Sequence, residues 1–525
     1  MPLFSVDNRC FSARARWRGP GSCSRVPGRS GGEATAEHRK ERAVVARSVG
    51  GPVDRAATRL SGLDVSFLCL EGSHRPMHLG AALVFEPDCP VHPARIGRLL
   101  AERAAAVPEL ARTATDTWWP PAGKAWRRCP TFDPADHIHT HMLARPGQPE
   151  QLEAAAATVM AQPLLEGRPP WEAHVFGGVA HGRFAVVFKM HHALADAAGS
   201  FSVAAPLLDG VPPGRGRQAR PADSDPSTPP TLPGPAALAG WAARTLRDLP
   251  GTAADAVAAA SGVRRRVERL AGVALSTLAA VRPLAASSPV TSMLAGSSRR
   301  EAAFVRLDTD EMHRVRKWTG GTLNDVVLSV IAGGLGDWIR NRDGAAAGSE
   351  WNLRAFVPVS VRSRRDAAGE GGNHLSGYLC DLPAGTTDPI ERVRMVTGAM
   401  QRNKRRGPER GAGAFPLLAE AVPAGMHRVT TPLAAQVSPL LFDTMVSTVP
   451  LPDVPLALDG ARLRQIWPLA PLALGQALSV AVTVYRGSVR IGVLADPQVL
   501  GEVGGLGDAI AKAFTNLRNA CEGDS

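Results

Sequence analysis

The chain has 525 residues, of which 44% are hydrophobic and 21% charged, with a formal net charge of +12. This length exceeds what one ordinary core holds, and the composition suits two globular domains joined by a linker. No apolar run approaches the roughly 18 residues that span a bilayer, so we predict no transmembrane helix. The seven cysteines are scattered without a CxxC pair, so neither a disulfide framework nor a cysteine zinc site is indicated, and a reducing, cytoplasmic setting is expected.

Residues 1–57 are predicted to be a disordered basic extension. They contain eleven Lys or Arg against five Asp or Glu, and so half of the net charge, with little periodicity. They lack the apolar stretch of a secretory signal. Because half the charge lies in this segment and no aromatic–basic platform is visible elsewhere, nucleic acid is not an expected partner.

Residues 58–210 are predicted to form a first α/β domain. Strand-like runs cover His78–Phe85 and Phe184–Met190, and helical patterns lie near 94–106 and 149–161. Residues 211–295 are predicted to be a linker, because the Pro-dense stretch to about 235 cannot build a core. The Ala- and Arg-rich remainder fits amphipathic helices, which either lie on an anionic membrane or pack on the protein itself.

Residues 296–525 are predicted to form a second α/β domain. Helical patterns alternate there with strand-like runs, the helices over 321–340 and 388–404 and the strands over 351–361, 478–485 and 488–495. Arg486–Gly487 predicts a hairpin turn between the last two strands. Thr322 and Asp325 form a capping-box pattern at the start of the first of these helices. Two α/β halves joined by a linker are therefore expected.

A histidine pair follows the run Phe184–Met190, in the sequence FAVVFKMHHALADAAGS. Neighbouring strand residues point to opposite faces, so His191 and His192 are not expected to share one cavity. Asp196 lies where a helix is predicted to begin, and so caps it or pairs with an arginine. Histidine is suited to take a proton at neutral pH. Without further context, a core histidine beside a capping Asp is the favoured interpretation.

His137, His139 and His141 alternate in a second histidine pattern. Alternate strand residues share a face, so three imidazoles would suit zinc. Apart from Asp136, no nearby carboxylate or cysteine completes such a site, and we predict no metal. No GxSxG nucleophile elbow accompanies the histidines, which argues against a serine esterase.

The histidine segment resembles the HHxxxDG motif of the bacterial wax ester synthase/diacylglycerol acyltransferase family, and the resemblance covers residues 58 to about 510. Further segments are similar to family motifs in the family's order: Leu60–Leu68, Pro76–His78, Pro163–Glu172, Gly321–Val327, Pro358–Arg362, Gly372–Asn373 and Gly460–Leu478. Each is short, but their common order makes the resemblance specific. The chain departs from the motifs at Ala197, at Pro170 and in the segment Ser447–Leu451.

The resemblance implies two chloramphenicol-acetyltransferase-like domains flanking a tunnel, and a CoA-dependent O-acyltransferase. It also implies an ordinary strand at His137–His141. It implies His192 as general base, with His191 and Asp196 completing the catalytic motif. Arg112 and Arg362 are the candidate partners of Asp196. Five residues are the candidate substrate-binding residues: Trp171, Asn324, Asp325, Ser360 and Arg362.

The implied reaction transfers a long acyl chain from acyl-CoA, a co-substrate, to diacylglycerol, with no cofactor or metal. A fatty alcohol acceptor, giving a wax ester, is the alternative. A catalytically weak lipid-binding relative is a second alternative, because of Ala197 and the changed segment Ser447–Leu451. The expected setting is the cytoplasmic face of the membrane or a lipid droplet, and the oligomeric state stays open.

Overall fold

The computed structural model describes residues 58–72, 75–117, 123–211, 290–291, 296–344, 352–360, 375–406, 427–436, 438–449 and 451–523. The predicted extension 1–57 and nearly all of the predicted linker 211–295 lie outside the described residues, as do Arg362 and Gly372–Asn373.

The described strands form two six-stranded sheets and one small sheet. They are β1 (Thr58–Arg59), β2 (His78–Glu86), β3 (Arg112–Asp116), β4 (Lys124–Arg128), β5 (Ile138–Met142), β6 (Trp171–Val179), β7 (Arg183–His191), β8 (Glu301–Asp308), β9 (Asn352–Ser360), β10 (Leu375–Pro383), β11 (Thr444–Val449), β12 (Ala457–Leu458), β13 (Ala461–Leu469), β14 (Leu478–Tyr485) and β15 (Ser488–Ala495).

The described α-helices connect and cover these strands. They are α1 (Gly62–Leu70), α2 (Pro93–Ala105), α3 (Pro149–Ala161), α4 (Ala197–Ala204), α5 (Thr309–Thr319), α6 (Leu323–Asp343), α7 (Pro389–Arg406), α8 (His427–Gln436), α9 (Ser438–Leu441), α10 (Pro497–Leu500) and α11 (Leu506–Gly523). None of the helices in the described ranges is long and apolar enough to cross a membrane.

The first large sheet has the order β12-β13-β2-β7-β6-β5. Strands β2 and β7 are antiparallel and place His78 opposite His191. One face of this sheet packs on α3 through residues such as Val187 and Val159, and the other packs on α2 and α4. Both faces are thus covered, so β7 is buried along almost its whole length instead of alternating between core and solvent.

The second large sheet has the order β10-β9-β11-β14-β15-β8. Its core lies against α6, α7 and α11, with Leu328, Ile331 and Ile510 fully buried among them. The predicted mixed α/β class is therefore observed, and the two large sheets are consistent with the predicted two-domain arrangement.

Strand pairing and side-by-side packing connect the two large sheets. Strands β12 and β13 come from the C-terminal part of the chain, yet β13 pairs with β2 of the first sheet. Gly492 in β15 packs against the main chain of Pro468 in β13, where an added Cβ would collide with the Pro468 oxygen. The predicted boundary near residue 296 thus divides the sequence, whereas β12 and β13 from beyond it complete the first sheet.

Local predictions are confirmed where their residues are described. Helix α6 begins with a capping box between Thr322 and Asp325. Arg486 and Gly487 both have positive φ, 46° and 69°, and join β14 to β15 in the predicted hairpin. Positive φ at both central residues matches the right-handed twist of the flanking strands. His139 and His141 lie in an ordinary strand, β5, as predicted.

Candidate active site

The histidine pair lies where β7 ends. His191 is the last residue of the strand, and the main-chain N–H of His192 donates to Met77 O at 2.8 Å. The N–H of Ala193 then donates to His191 Nδ1 at 3.0 Å and turns the chain. The two imidazoles consequently contact different groups, as strand alternation predicts.

His191 lies in a buried cluster with His78 and Glu71. His78 Nε2 is 3.1 Å from Glu71 Oε1, and His191 Nε2 is 3.4 Å from Glu71 Oε2. Burial lowers the pKa of His191 to about 4 despite the nearby Glu71 charge, so this imidazole is neutral at pH 7. Burial alone would raise the pKa of Glu71, but the hydrogen bond with His78 and the neighbouring imidazoles hold it below its ordinary value.

Sequence reasoning did not identify Glu71. It follows the last residue of α1, between the motif segments Leu60–Leu68 and Pro76–His78. Its partner His191 is far away in sequence, so no local spacing marks the pair. Only the pairing of β2 with β7 brings His78 and His191 to one carboxylate.

His192 stacks on Phe67 of α1, with ring centroids 4.0 Å apart and an interplanar angle of 23°. Helix α1 holds Phe67 there because Ser61 caps it in a reciprocal capping box with Asp64. Burial lowers the pKa of His192 to about 4, whereas its own main-chain carbonyl and the Asp196 charge favour the protonated form. His192 is therefore neutral at pH 7 and has a carboxylate close enough to stabilise it when it takes a proton.

Asp196 caps α4, as predicted. Its Oδ1 accepts from the N–H of Gly199 at 2.6 Å, and its main-chain oxygen accepts from Ser200 at 2.8 Å. The side chain is fully buried. Ala197, which replaces the motif glycine, is the first residue of α4. Helical backbone has negative φ, so this position in the helix does not call for glycine.

The arginine partner of Asp196 stays a prediction. Arg112 is the first residue of β3 in the small sheet β1-β4-β3, and it is partly buried. Arg362, the other candidate, lies outside the described residues.

An apolar cavity of about 110 Å³ begins beside the motif. Met190 lines it two residues before His192, and Ser200 and Phe201 line it from α4. Its other walls come from both large sheets, including Leu79 of β2 and Val449 of β11. Because Leu79 alternates with His78, the cavity lies on the face of the first sheet opposite the Glu71 cluster. It occupies the position between the sheets where a tunnel was predicted.

The candidate substrate-binding residues occupy different places. Asn324 Oδ1 accepts from Thr448 at 3.3 Å, next to the cavity residue Val449. Asp325 is buried and accepts from the Thr322 N–H at 2.8 Å. Trp171 is fully buried, and its indole N–H donates to Leu110 O at 2.7 Å, which is a core position away from the cavity lining. The side chain of Ser360, at the end of β9, is outside the description, as is all of Arg362.

The buried histidines predict that acid destabilises the fold. Six of the described histidines have a pKa below the ordinary value of 6.5, mainly because of burial: His78, His137, His141, His174, His191 and His192. Between about pH 4 and pH 6.5 the unfolded chain binds more protons than the folded one, so stability rises with pH. As the pH falls through this range, one fully buried histidine with a pKa of about 4 lowers the free energy of unfolding by on the order of 3 kcal/mol. Burial raises the pKa of Glu153 to about 7, so this carboxyl group makes stability fall as pH rises. It is one group against the six histidines.

We therefore expect the melting temperature to fall steadily as pH is lowered from 7 to 4, measured by circular dichroism in one buffer series. His191→Gln should flatten this dependence, because it removes one depressed pKa. A melting temperature that is constant or rises on acidification would contradict the pKa directions above.

Comparison with known proteins identifies relatives over most of the chain. Residues 60–327 match the family model described as the wax ester synthase/diacylglycerol acyltransferase catalytic domain, and residues 371–518 match the C-terminal domain of the same family. A Mycobacterium tuberculosis protein described as a diacylglycerol O-acyltransferase is 30% identical over 447 residues, covering 83% of this chain and 94% of the relative. A second such protein of that organism is 28% identical over 455 residues, covering 82% and 92%.

Solved structures share the fold at lower identity. The wax ester synthase/diacylglycerol acyltransferase from Marinobacter aquaeolei VT8 has a TM-score of 0.61 at 21% identity, covering 89% of this chain and all of that chain. The trichothecene 15-O-acetyltransferase of Fusarium sporotrichioides has a TM-score of 0.54 at 13% identity, covering 89% and 95%. The starter condensation domain of rhizomide synthetase, solved with C8-CoA, has a TM-score of 0.51 at 14% identity, with the same coverage.

Proposed function

The chain belongs to the wax ester synthase/diacylglycerol acyltransferase family and is an acyltransferase, and from this premise we propose that it transfers a long acyl chain from acyl-CoA to diacylglycerol, forming triacylglycerol. The observation that carries the proposal is His192, a buried neutral imidazole with Asp196 nearby, at the end of β7 beside an apolar cavity.

The proposed reaction needs one base and no covalent enzyme intermediate. His192 takes the proton of the acceptor hydroxyl while that oxygen attacks the thioester carbonyl carbon, forming the new C–O bond. Collapse of the tetrahedral intermediate breaks the C–S bond, and His192 returns the proton to the departing CoA sulfur. The thioester is already activated, so taking the alcohol proton is the main task of the protein, and such base catalysis contributes about 10²–10⁴-fold.

Asp196 supports the charged intermediate in this scheme. When His192 takes the proton it becomes an imidazolium in a buried setting, which burial disfavours. The Asp196 charge acts in the opposite direction and lowers the free energy of that state. Because the same carboxylate caps α4, the helix that lines the cavity, the base and the cavity wall are positioned together.

The cavity supports a long apolar substrate. Its lining includes Leu83, Phe188 and Ile466, with hydroxyls supplied by Ser200 and Thr483. Thr483 already donates to Val449 O at 2.7 Å, so its hydroxyl is used within the fold. An apolar lining with few polar groups suits acyl chains better than sugars or nucleotides. The oxyanion of the intermediate needs a donor, and Asn324 stays our candidate, since its hydrogen-bond partner Thr448 directly precedes the cavity residue Val449 in β11.

Diacylglycerol is the proposed acceptor because the matched mycobacterial relatives are described as diacylglycerol O-acyltransferases. Such a lipid acceptor resides in a membrane or droplet, so the proposal includes peripheral association with that surface. A fatty alcohol is the second candidate, because the family name covers both reactions.

The test measures CoA thiol release from palmitoyl-CoA by the full chain, with dioleoylglycerol, with hexadecanol, or without acceptor. We expect release to depend on dioleoylglycerol and to yield triacylglycerol by chromatography. Release with hexadecanol alone would assign a wax ester synthase instead. If palmitoyl-CoA bound without turnover on either acceptor, the diacylglycerol proposal would be wrong and a lipid-binding protein would be the better description.

A further inference from the structure

A second cluster of reactive side chains lies on the first sheet, on the face away from the cavity. It consists of His139 in β5 and Glu172 and His174 in β6. One ligand atom from each of the three lies within 4.8 Å of the others. The acyl-transfer chemistry proposed above uses none of these residues.

Strand pairing assembles this cluster from distant parts of the sequence. Strands β5 and β6 are parallel and place His139 beside His174. Glu172 precedes His174 by two residues, so both project from one face of β6. His137 belongs elsewhere: its Nδ1 lies 2.9 Å from Trp171 O, and its ring stacks on the Trp171 indole. The alternating histidines alone lacked a carboxylate, and β6 supplies it.

We propose that His139, Glu172 and His174 bind a divalent cation of the zinc class. Two imidazoles and one carboxylate are a ligand set that zinc adopts in proteins, with a water in the fourth position. Zinc, cobalt and nickel accept imidazole ligands readily, whereas calcium and magnesium require oxygen. The ligand atoms need to approach one another by about an ångström to reach bonding distance, and His139, the most exposed of the three, lies on the edge strand β5.

The neighbouring groups already orient His174. Its Nδ1 lies 3.1 Å from His141 Nε2, and its Nε2 lies 3.1 Å from Glu172 Oε2. Without a cation, a proton joins Nε2 to the carboxylate. A cation would replace that proton, and Nδ1–H would donate to His141. Metal-bound histidines usually donate their second ring N–H in this way, which fixes the ring and strengthens the ligand.

Lys189 holds the Glu172 carboxylate in place and limits the affinity of the cluster for a cation. Its Nζ lies 2.9 Å from Glu172 Oε2 and donates to the main-chain oxygens of Val159 and Gln162 at 3.1 and 3.0 Å. The buried ammonium holds the carboxylate towards the two imidazoles, but its charge repels a cation. We therefore expect weaker binding than in a structural zinc site.

The experiment titrates Co²⁺ into full-length protein without a polyhistidine tag, after chelator treatment and desalting, and records visible absorption. Calorimetry with Zn²⁺ gives stoichiometry and affinity. We expect one equivalent of Co²⁺ with the intense visible bands of four- or five-coordinate cobalt, displaced by Zn²⁺. Glu172→Gln and His174→Gln should each weaken binding at least about tenfold, because outer partners alone already contribute 10–100-fold.

His313→Gln is the matched control, since it removes an exposed imidazole of α5 outside the cluster. It should leave affinity and absorption unchanged. Circular dichroism checks that each variant folds, and His139→Gln at the sheet edge replaces either ligand variant that does not. Absence of a saturable equivalent, or equal binding by the control and ligand variants, would overturn the proposal. Metal binding is read without acyl transfer, so this result is independent of the proposed function.

Discussion

His192→Ala is expected to lower kcat for acyl transfer by about 10²–10⁴-fold, the usual contribution of a positioned general base. The hydroxyl proton would then pass to solvent, while the acyl-CoA contacts of the cavity stay in place. KM for palmitoyl-CoA should therefore change much less than kcat. The measurement is acceptor-dependent thiol release at several concentrations of palmitoyl-CoA.

His313→Ala is the control, because His313 is exposed on α5 and far from the motif in sequence. It should retain full activity. His192→Ala also removes the ring that stacks on Phe67, so its melting temperature must be compared with that of the unsubstituted chain. A folded His192→Ala protein with undiminished kcat would rule out His192 as the base.

A pair of substitutions at Asp196 should separate its two contributions. Asn and Asp cap helices about equally well, whereas Ala loses a cap at a cost of about 0.5–2 kcal/mol. Asp196→Asn should therefore keep the stability of α4 but remove the charge that favours protonated His192. We expect kcat to fall by about tenfold or more, because a nearby opposite charge typically favours an ion by roughly one pKa unit or more, and each unit is a factor of ten. Asp196→Ala should lose both activity and stability.

The measurements are kcat from thiol release and the free energy of unfolding from denaturant titration. Asp308→Ala is a matched control for lost capping, because the Asp308 carboxylate caps α5, which contributes no residue to the cavity lining. If Asp196→Asn kept full activity while Asp196→Ala lost it, Asp196 would act only as a helix cap. The electrostatic part of the proposed mechanism would then be wrong.

The sequence predicted those features that depend on residues close together in the chain. The strand Phe184–Met190, the capping box of Thr322 and Asp325 and the turn at Arg486–Gly487 were all confirmed. Strand periodicity, helix caps and turn conformations follow from the chemistry of adjacent residues, so a local pattern contains the information. The order of the motifs identified the family for the same reason, since order is a property of the sequence itself.

The tertiary structure alone decided which distant residues meet. Pairing of β2 with β7 brings His78 and His191 to Glu71, and pairing of β5 with β6 completes the cluster of His139, Glu172 and His174. Trp171, predicted as a substrate contact, lies in the core, where its indole donates to Leu110.

Strand β13 likewise lies beyond the predicted domain boundary in sequence but pairs with β2 of the first sheet. Each of these contacts joins segments that have no fixed spacing in the chain. These contacts stabilise the fold because both partners become buried together. The pattern within one segment does not specify which other segment will be its partner.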